Sequence, residues 1–232
     1  GLIQEDTDAP MWRMYMAVPR GGPVPAHNQG EIGSCVSFGT AIAAEFSLAF
    51  QIHYRRGPPQ SFEQNVREAI YGGSRINADP RNPIDNGDGS TGSRAAKWLS
   101  KGIGGLLTTG ENGPYSVSRC RSWGDRGVPA SLVAKCKENP CQTTLVTSAA
   151  AAKLAMQQGY AIFVCSDVGF GDLNGGAIVR DADGFLSPRG VWYHCMAIAG
   201  YQGGARPGFL IVNSWGSGWV TGPVGKFADS PP

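Results

Sequence analysis

The sequence predicts an α+β fold built from two unlike lobes, and three observations lead to this prediction. In the first half, apolar residues recur at helical spacing, whereas short apolar runs typical of strands predominate in the second half. The 34 glycines and 16 prolines among 232 residues indicate many turns and few long helices. Helices that are segregated from strands along a chain are typical of the α+β class.

The first half contains the clearest helix of the chain. Residues 34–53 carry apolar side chains on both faces with alanines between them, so we predict a buried helix here. Two shorter helices are predicted at residues 62–71 and 93–101. The intervening residues 77–92 are dense in Asn, Asp, Gly and Pro and predict a loop, and residues 104–128 are also predicted to be loop.

The second half is predicted to contain one helix and three strands. The alanine-rich residues 149–158 predict the helix, which ends before a glycine. The strands are predicted at residues 160–165, 191–201 and 208–213. Residues 1–26 are rich in Pro and Gly and are predicted to be irregular.

Composition and charge exclude several classes of protein. The chain is 41% hydrophobic and 16% charged, which is globular composition. Its formal net charge is +2 with no run of basic residues, so we expect neither a nucleic acid nor a membrane as a partner. No segment reaches the apolar length that spans a bilayer, and the acidic N-terminus lacks a signal-peptide pattern. The end at Ser230-Pro231-Pro232 leaves open a larger assembly or additional sequence beyond Pro232.

Cys35 lies at the predicted N-terminus of the buried helix, directly after Gly33-Ser34. The partial positive charge and free N–H groups of a helix N-terminus favour a thiolate over a thiol. Cys35 is therefore a candidate nucleophile. The alternative is a buried structural cysteine, which is the commoner role of a free cysteine taken alone.

A thiolate nucleophile needs a base that also protonates the leaving group, and histidine is the usual choice. The chain has three histidines. His53 stands near the far end of the same helix, about 27 Å away at the α-helical rise, and cannot reach Cys35. His27 has no neighbour in sequence that would orient it. His194 begins an apolar strand and is the better candidate, with a satisfied core histidine as the alternative.

Asn213 ends the next apolar run, just as His194 begins one. If the two strands are antiparallel neighbours joined at residues 202–207, Asn213 lies beside His194 and hydrogen-bonds one ring nitrogen. The other nitrogen is then aimed at the nucleophile. Trp215 and Trp219 follow directly, and an indole beside this bond would exclude water. An ordinary turn is the alternative interpretation of Asn-Ser-Trp-Gly.

Gln29 precedes Cys35 by six residues on a loop that contains glycine. Acyl transfer requires donors that stabilise a developing oxyanion. The side-chain N–H of Gln29 and the backbone N–H of Cys35 are candidates for these donors. A lone Gln in a loop carries little weight, so this hypothesis depends on the other site residues.

The six cysteines do not show the paired C-x-x-C spacing of a zinc site, and we expect no metal or organic cofactor. Cys136 and Cys141 either close a small loop as a disulfide or remain two free thiols. Cys165 and Cys195 fall in predicted strands and are expected to be buried thiols. The redox compartment stays open.

The segment NQGEIGSCVSFG resembles the active-site segment of papain-like cysteine peptidases, in which a Gln stands six residues before the Cys that opens the central helix. HCMAIAGY followed by FLIVNSWGSGW resembles the histidine strand and the asparagine-tryptophan motif of that family. The order Gln, Cys, His, Asn is the family order. Met11-Trp12-Arg13, Gly89-Ser90-Thr91-Gly92 and Pro114-Tyr115 match weaker family features, so the resemblance spans roughly residues 11–222.

Three departures identify the chain as a divergent member. Val36 stands where the family usually has Trp after the nucleophile. Ile32 and Ser90 stand where the family has the two cysteines of a disulfide near the active site. Both halves of that bridge are therefore missing together.

The resemblance implies a papain-like two-lobed α+β fold with the active site in the cleft between the lobes. It implies an N-terminal extended segment at 1–26 that crosses the lobes. It also implies a helical lobe at 27–130 that carries the nucleophile helix, and an antiparallel strand-rich lobe at 131–232 that carries His194 and Asn213.

The resemblance further implies a cysteine endopeptidase that acts on polypeptide substrates through a Cys35 thioester. His194 is expected to act as base and then acid, Asn213 to orient His194, and Gln29 to donate to the oxyanion. The candidates for the substrate-binding wall are Ser90, Thr91, Gly92, Trp192 and Trp215, for which loop and core roles are the alternatives.

Two other functions remain open from the sequence. One alternative is a structural or binding module in a larger assembly, with little proteolysis. The presence of Val36 where the family usually has Trp motivates this alternative. Four competent residues at the catalytic positions weigh against this reading. The same thioester also supports transpeptidation or deamidation, because the cleft selects the acyl acceptor.

Overall fold

The computed structural model describes residues 8–171 and 177–231. Residues 1–7, 172–176 and 232 lie outside the described part, and with them the ends of the predicted segments 1–26 and 131–232. In chain order the helices and strands are β1 (Ala9–Pro10), α1 (Met11–Ala17), α2 (Cys35–His53), α3 (Arg67–Gly72), α4 (Gly92–Leu99), α5 (Thr109–Asn112), α6 (Val117–Arg126), α7 (Ala130–Cys136), α8 (Ala149–Gln157), β2 (Ile162–Val168), β3 (Val191–Gln202) and β4 (Gly208–Val212). A π-helical turn at Gly73–Asn77 continues α3.

Strand β3 is the centre of an antiparallel sheet. It pairs with β1 and β2 along one edge and with β4 along the other. In the β2–β3 register, Cys165 lies opposite Cys195 and Ser166 lies opposite His194. The β3–β4 hairpin brings the end of β4, and Asn213 after it, back towards the start of β3.

Helix α2 packs across this sheet and is buried along most of its length. Its small residues allow close approach, since a Cβ built on Gly39 would lie 2.9 Å from the Sγ of Cys195 on β3. Glu45 in the middle of the helix is fully buried and forms a 2.8 Å ion pair with Arg67, the first residue of α3. This pair joins the core helix to the helices on its other side.

Helix α2 is also the one helix in residues 8–171 and 177–231 that is long and apolar enough to cross a membrane. The sequence expectation that no segment reaches this length is therefore wrong for α2. Two thirds of its apolar window is nevertheless buried inside the fold (67%), which is the environment of a core helix.

The main helix and strand predictions are confirmed. Helices α2, α4 and α8 and the three predicted strands lie within a few residues of their predicted positions. The helix predicted at 62–71 begins later, at Arg67. Helix α7 was not predicted. The division into lobes at 27–130 and 131–232 stays a prediction.

The prediction of a loop at residues 104–128 is wrong. Residues 104–128 contain α5 and α6, whose first turns are capped by Thr108 and Ser116. Helix α6 also buries Cys120 and Trp123, which a surface loop would leave exposed. Helix formation there is therefore driven by capping and by a narrow apolar face.

The prediction of an extended segment at 1–26 is wrong at Met11–Ala17, which is helical. Met11, Trp12 and Tyr15 bury one face of this short helix in the main core. Strand β1 pairs with β3 and α1 packs on α2, so the segment contacts both the sheet and the core helix. That it crosses the lobes stays a prediction.

Candidate active site

Cys35 is the first residue of α2, at the end of a turn in which the Ser34 carbonyl accepts the N–H groups of Ser37 and Phe38. The preceding turn runs against the glycine-rich loop, because a Cβ on Gly33 would lie 2.9 Å from the Cβ of Asp88. The Cys35 side chain is half-buried and lies beside Cys195 of β3.

Burial raises the pKa of the Cys35 thiol above its usual value. The backbone N–H groups of Cys195, Val36 and Cys35 itself oppose this shift, but burial outweighs them. The helix N-terminus thus favours the thiolate as expected, but burial gives the net shift the opposite direction. Proton removal by a neighbouring base is the route to the thiolate.

His194 and Asn213 are joined by a 2.7 Å hydrogen bond between Nε2 and Oδ1. The backbone N–H of Ser214 donates to the same Asn213 oxygen at 2.7 Å, which identifies it as the carbonyl end of the amide. Nε2 must then carry the proton in this bond. In the neutral ring, Nδ1 is left as the basic nitrogen.

Burial lowers the pKa of His194, and the hydrogen bond to Asn213 opposes that shift in part. The neutral base is therefore the favoured form. No hydrogen bond joins His194 to Cys35 among the described residues, and the His194 ring is instead bonded to Asn213. Cys195, the residue after His194, directs its backbone N–H at Cys35 Sγ, so the nucleophile lies beside the part of β3 that carries His194. Catalytic hydrogen bonds are often long in unliganded enzymes and tighten with substrate.

The Trp215 indole lies on the His194 ring, with centroids 4.3 Å apart and planes inclined by 32°. Behind it, Trp192 lies 5.1 Å from Trp215 and donates its indole N–H to the carbonyl of Gly171. Trp219 also packs against Trp215, with the two ring centroids 6.5 Å apart. This aromatic cluster shields the His194–Asn213 bond from water.

The prediction that Trp192 contacts substrate is corrected by its burial. Its side chain is 2% exposed and makes its contacts with aromatic rings and with backbone. Trp215 is half-buried and stays available at the surface of the site. Trp192 therefore supports Trp215 and does not line the cleft itself.

Gln29 is fixed by hydrogen bonds at both ends of its amide. Its Nε2 donates to the Ile32 carbonyl at 2.8 Å, and its Oε1 accepts from the Ser214 hydroxyl at 2.6 Å. Because Nε2 carries two N–H groups, one of them remains for another acceptor. The side chain is thus held in a set orientation with a free donor.

The loop that carries Gln29 is paired with the segment that follows Asn213. Gln29 N donates to the Ser214 carbonyl, and Gly216 N donates to the His27 carbonyl. Asn28 and Trp215 form an isolated antiparallel β-bridge. The two segments are far apart in sequence. This pairing places the donor Gln29 and the His194–Asn213 pair in one site.

Ser90, Thr91 and Gly92 form the start of α4 and the loop before it. Thr91 is exposed and caps the helix by accepting from Arg94 N. Ser90 is half-buried and donates to the Ser74 hydroxyl at 2.8 Å. Gly92 faces strand β2, since a Cβ there would lie 2.9 Å from Cys165 Sγ.

Arg75 clamps this loop and was missed by the sequence reasoning. Its buried guanidinium donates to the carbonyls of Gly87, Gly89 and Gly124 at 2.6–2.8 Å and lies over the Tyr71 ring. An arginine in an apolar helix before a glycine-rich loop is the only sequence signal of this role. Arg75 holds the loop at the place where the family disulfide is missing.

Three other contacts were not anticipated. Ser214 was noted only as part of a turn, yet it contacts both Asn213 and Gln29. Tyr115 donates to the Gln29 carbonyl at 2.9 Å. Ile32 is 1% exposed and packs with Tyr71 and Cys120, which explains how an apolar side chain replaces a bridged cysteine.

All six cysteines are free thiols, and all six lie in the described ranges. The open question at Cys136 and Cys141 is thereby answered in favour of free thiols. Cys195 is buried as predicted, but the prediction for Cys165 is wrong because its side chain is exposed. No group of three or more His, Cys, Asp or Glu side chains suited to a metal ion occurs among the described residues.

Several solved cysteine proteases share this architecture. The chain is similar to xylellain, a cysteine protease from Xylella fastidiosa, with 19% identity, a TM-score of 0.60 and coverage of 89% of this chain and 79% of that one. It is similar to digestive procathepsin L 3 of Tenebrio molitor, with 18% identity, a TM-score of 0.54 and coverage of 95% and 63%. A Carica candamarcensis cysteine protease solved with E-64 gives 19% identity, a TM-score of 0.50 and coverage of 94% and 85%.

No sequence-family model and no curated protein sequence matches the chain. The structural likenesses, at these identities, concern the fold. They confirm the predicted papain-like α+β fold.

Proposed function

We propose that this papain-like chain is a cysteine endopeptidase that hydrolyses peptide bonds through a thioester on Cys35. The observation that carries the proposal is the arrangement of His194. Its Nε2–H is bonded to an Asn213 oxygen that Ser214 also holds, its ring is covered by Trp215, and Nδ1 remains as a base.

In the first step, Nδ1 of His194 removes the proton of the Cys35 thiol as Sγ attacks the scissile carbonyl carbon. The raised pKa of Cys35 and the lowered pKa of His194 both favour the neutral thiol and the neutral ring before substrate binds. The imidazolium that forms is held by Asn213 and then protonates the leaving amine.

The negative charge that develops on the carbonyl oxygen needs donors fixed in advance. The free N–H of the Gln29 amide and the backbone N–H of Cys35 are assigned to this role. Gln29 suits it because Ile32 and Ser214 fix both ends of its amide. Water then attacks the thioester with His194 acting as the base, which releases the acid and restores the thiol.

The proposal is tested with the reduced, purified chain and a library of fluorogenic peptides. We expect hydrolysis of a subset of peptides, with kcat/KM reduced by about 10⁶ in Cys35→Ala, the order expected for loss of a nucleophile. Cys141→Ala, a change at a half-exposed thiol outside the site, is the matched control and should retain activity. Hydrolysis that persists in Cys35→Ala, or a wild-type chain that cleaves no peptide in the library, contradicts the proposal.

A further inference from the structure

A pair of thiols that includes two further cysteines lies beside the candidate nucleophile. Cys165 on β2 and Cys195 on β3 are directly opposite each other in the antiparallel register, so their side chains leave the same face of the sheet. The two side chains interact closely enough to shift each other's pKa in opposite directions, down at Cys165 and up at Cys195. The mechanism proposed above uses neither thiol.

Each sulfur occupies space that a glycine leaves open. A Cβ on Gly92 would lie 2.9 Å from Cys165 Sγ, and a Cβ on Gly39 would lie 2.9 Å from Cys195 Sγ. Helix α4 therefore confines one sulfur and helix α2 the other. This packing leaves each sulfur little room to move away from the sheet.

The backbone geometry suits a disulfide at this position. Residues directly opposite in an antiparallel pair have Cα atoms about 4.5–5.5 Å apart. Disulfides join residues whose Cα atoms are about 4.4–6.8 Å apart. A bond between Cys165 and Cys195 thus needs little movement of β2 or β3.

The two thiols differ in the way that a redox pair requires. Cys165 is exposed, and its interactions with Cys195 and with the Gly92 N–H lower its pKa. Cys195 is 1% exposed, and its interaction with Cys165 together with burial raises its pKa. An accessible thiolate attacks an external disulfide, and a buried neighbour resolves the product.

We propose that Cys165 and Cys195 form a redox-active dithiol that a low-molecular-weight disulfide oxidises to a cross-strand disulfide. The Cys165 thiolate attacks one sulfur of the external disulfide, which forms a mixed disulfide and releases the first small thiol. Cys195 then loses its proton and attacks Cys165 Sγ, which releases the second small thiol. The protein loses two electrons and two protons, and the external disulfide gains them.

Oxidation of this pair should change the pKa and the surroundings of the Cys35 thiol. The charge on Cys165 raises the pKa of Cys35, and the Cys195 N–H donates to Cys35 Sγ. A disulfide removes the charge of Cys165 and fixes the strand that carries this N–H. This consequence for the nucleophile rests on the proposed function, whereas formation of the disulfide does not.

The test uses the full chain with Cys35→Ala, which removes the nucleophile and makes the outcome independent of peptidase activity. The reduced protein is incubated with oxidised glutathione, and its thiols are counted and mapped by mass spectrometry. We expect the loss of two thiols, a peptide cross-link between Cys165 and Cys195, and no retained glutathione. In Cys195→Ser on the same background, glutathione should remain on Cys165.

Two results would overturn the proposal. One is a stable glutathione adduct on Cys165 while Cys195 is intact and unlinked. The other is oxidation at Cys165 no faster than at the half-exposed Cys141, with no cross-link. Because the Cys35→Ala chain alone gives both readouts, a folding defect in the serine variant does not affect the test.

Discussion

Asn213 shows how one side-chain oxygen sets the chemistry of a neighbouring ring. Its Oδ1 accepts from Ser214 N and from His194 Nε2, so the protonated nitrogen of the imidazole is determined. Its Nδ2, in contrast, is buried without a hydrogen-bond partner in the described structure. The amide is therefore oriented so that its oxygen makes hydrogen bonds, and the buried nitrogen has a desolvation cost that no hydrogen bond offsets.

Substitutions at Asn213 should move the pKa of His194 in opposite directions. Asn213→Asp puts a negative charge beside the ring, which favours the imidazolium and raises the His194 pKa. Asn213→Ala removes the hydrogen bond that opposes desolvation, so the pKa should fall further. Ring-proton NMR titration of the three-histidine chain measures both shifts. If the pKa of His194 is the same in both variants as in the wild type, the hydrogen bond to Asn213 does not set that pKa.

At the scale of elements, the glycine-rich loop before α4 depends on Arg75. Three loop or helix-end carbonyls accept from this one guanidinium, and Tyr71 Oη adds contacts to Asp88 and Gly89. A planar guanidinium presents five donors in a fixed fork, which a lysine ammonium cannot reproduce. The wall of the candidate cleft is thus held by hydrogen bonds in place of a disulfide.

Arg75→Lys should destabilise the fold by about 3 kcal/mol, because buried carbonyls lose charge-assisted hydrogen bonds. Urea unfolding measures this change. Arg81→Lys, at an exposed arginine of the same segment, is the matched control and should stay within about 0.5 kcal/mol of the wild type. Equal stability of the two variants would show that Arg75 does not clamp the loop.

At the scale of the whole molecule, stability at acid pH should depend on His27. This residue is buried, its Nε2 has no partner among the described residues, and burial with the nearby Arg67 charge lowers its pKa from 6.5 to about 3. The unfolded chain therefore binds a proton that the folded chain rejects. The free energy of unfolding therefore has no contribution from His27 protonation above pH 6.5. It decreases as the pH falls from 6.5 towards 3, because protonation stabilises the unfolded chain.

The measurement compares the wild type with His27→Gln by urea unfolding between pH 7 and 3. Glutamine does not titrate, so the variant should lack a slope that reaches about 1.4 kcal/mol per pH unit in the wild type. Parallel stability curves for the two proteins would exclude His27 as the source of acid sensitivity.

Much of this architecture could be predicted from sequence because its signals are local. The buried helix at Cys35–His53 and the strands around His194 carry long apolar runs, and these elements were confirmed. The side-by-side arrangement of His194 and Asn213 follows from a hairpin, which a short turn dictates.

The remainder depends on contacts between residues distant in sequence. The burial of Trp192 and the pairing of residues 27–29 with 214–216 have no local signature. The Arg75 clamp has only a weak one, because one of its acceptors, the Gly124 carbonyl, lies 49 residues away. The helix at Met11–Ala17 is too short to be indicated by periodicity and owes its stability to the core. The net pKa direction of Cys35 likewise depends on burial, which the sequence does not reveal.

The central claim, that Cys35 is an active nucleophile, is tested most directly with a peptidyl epoxide that alkylates thiols in the active sites of cysteine peptidases. The reduced chain is incubated with the epoxide, and the site of attachment is mapped by mass spectrometry. We expect one adduct per chain, on Cys35, and no adduct in Cys35→Ser. A wild-type chain that stays unlabelled, or a Cys35→Ser chain that is labelled as fast as the wild type, would contradict this claim.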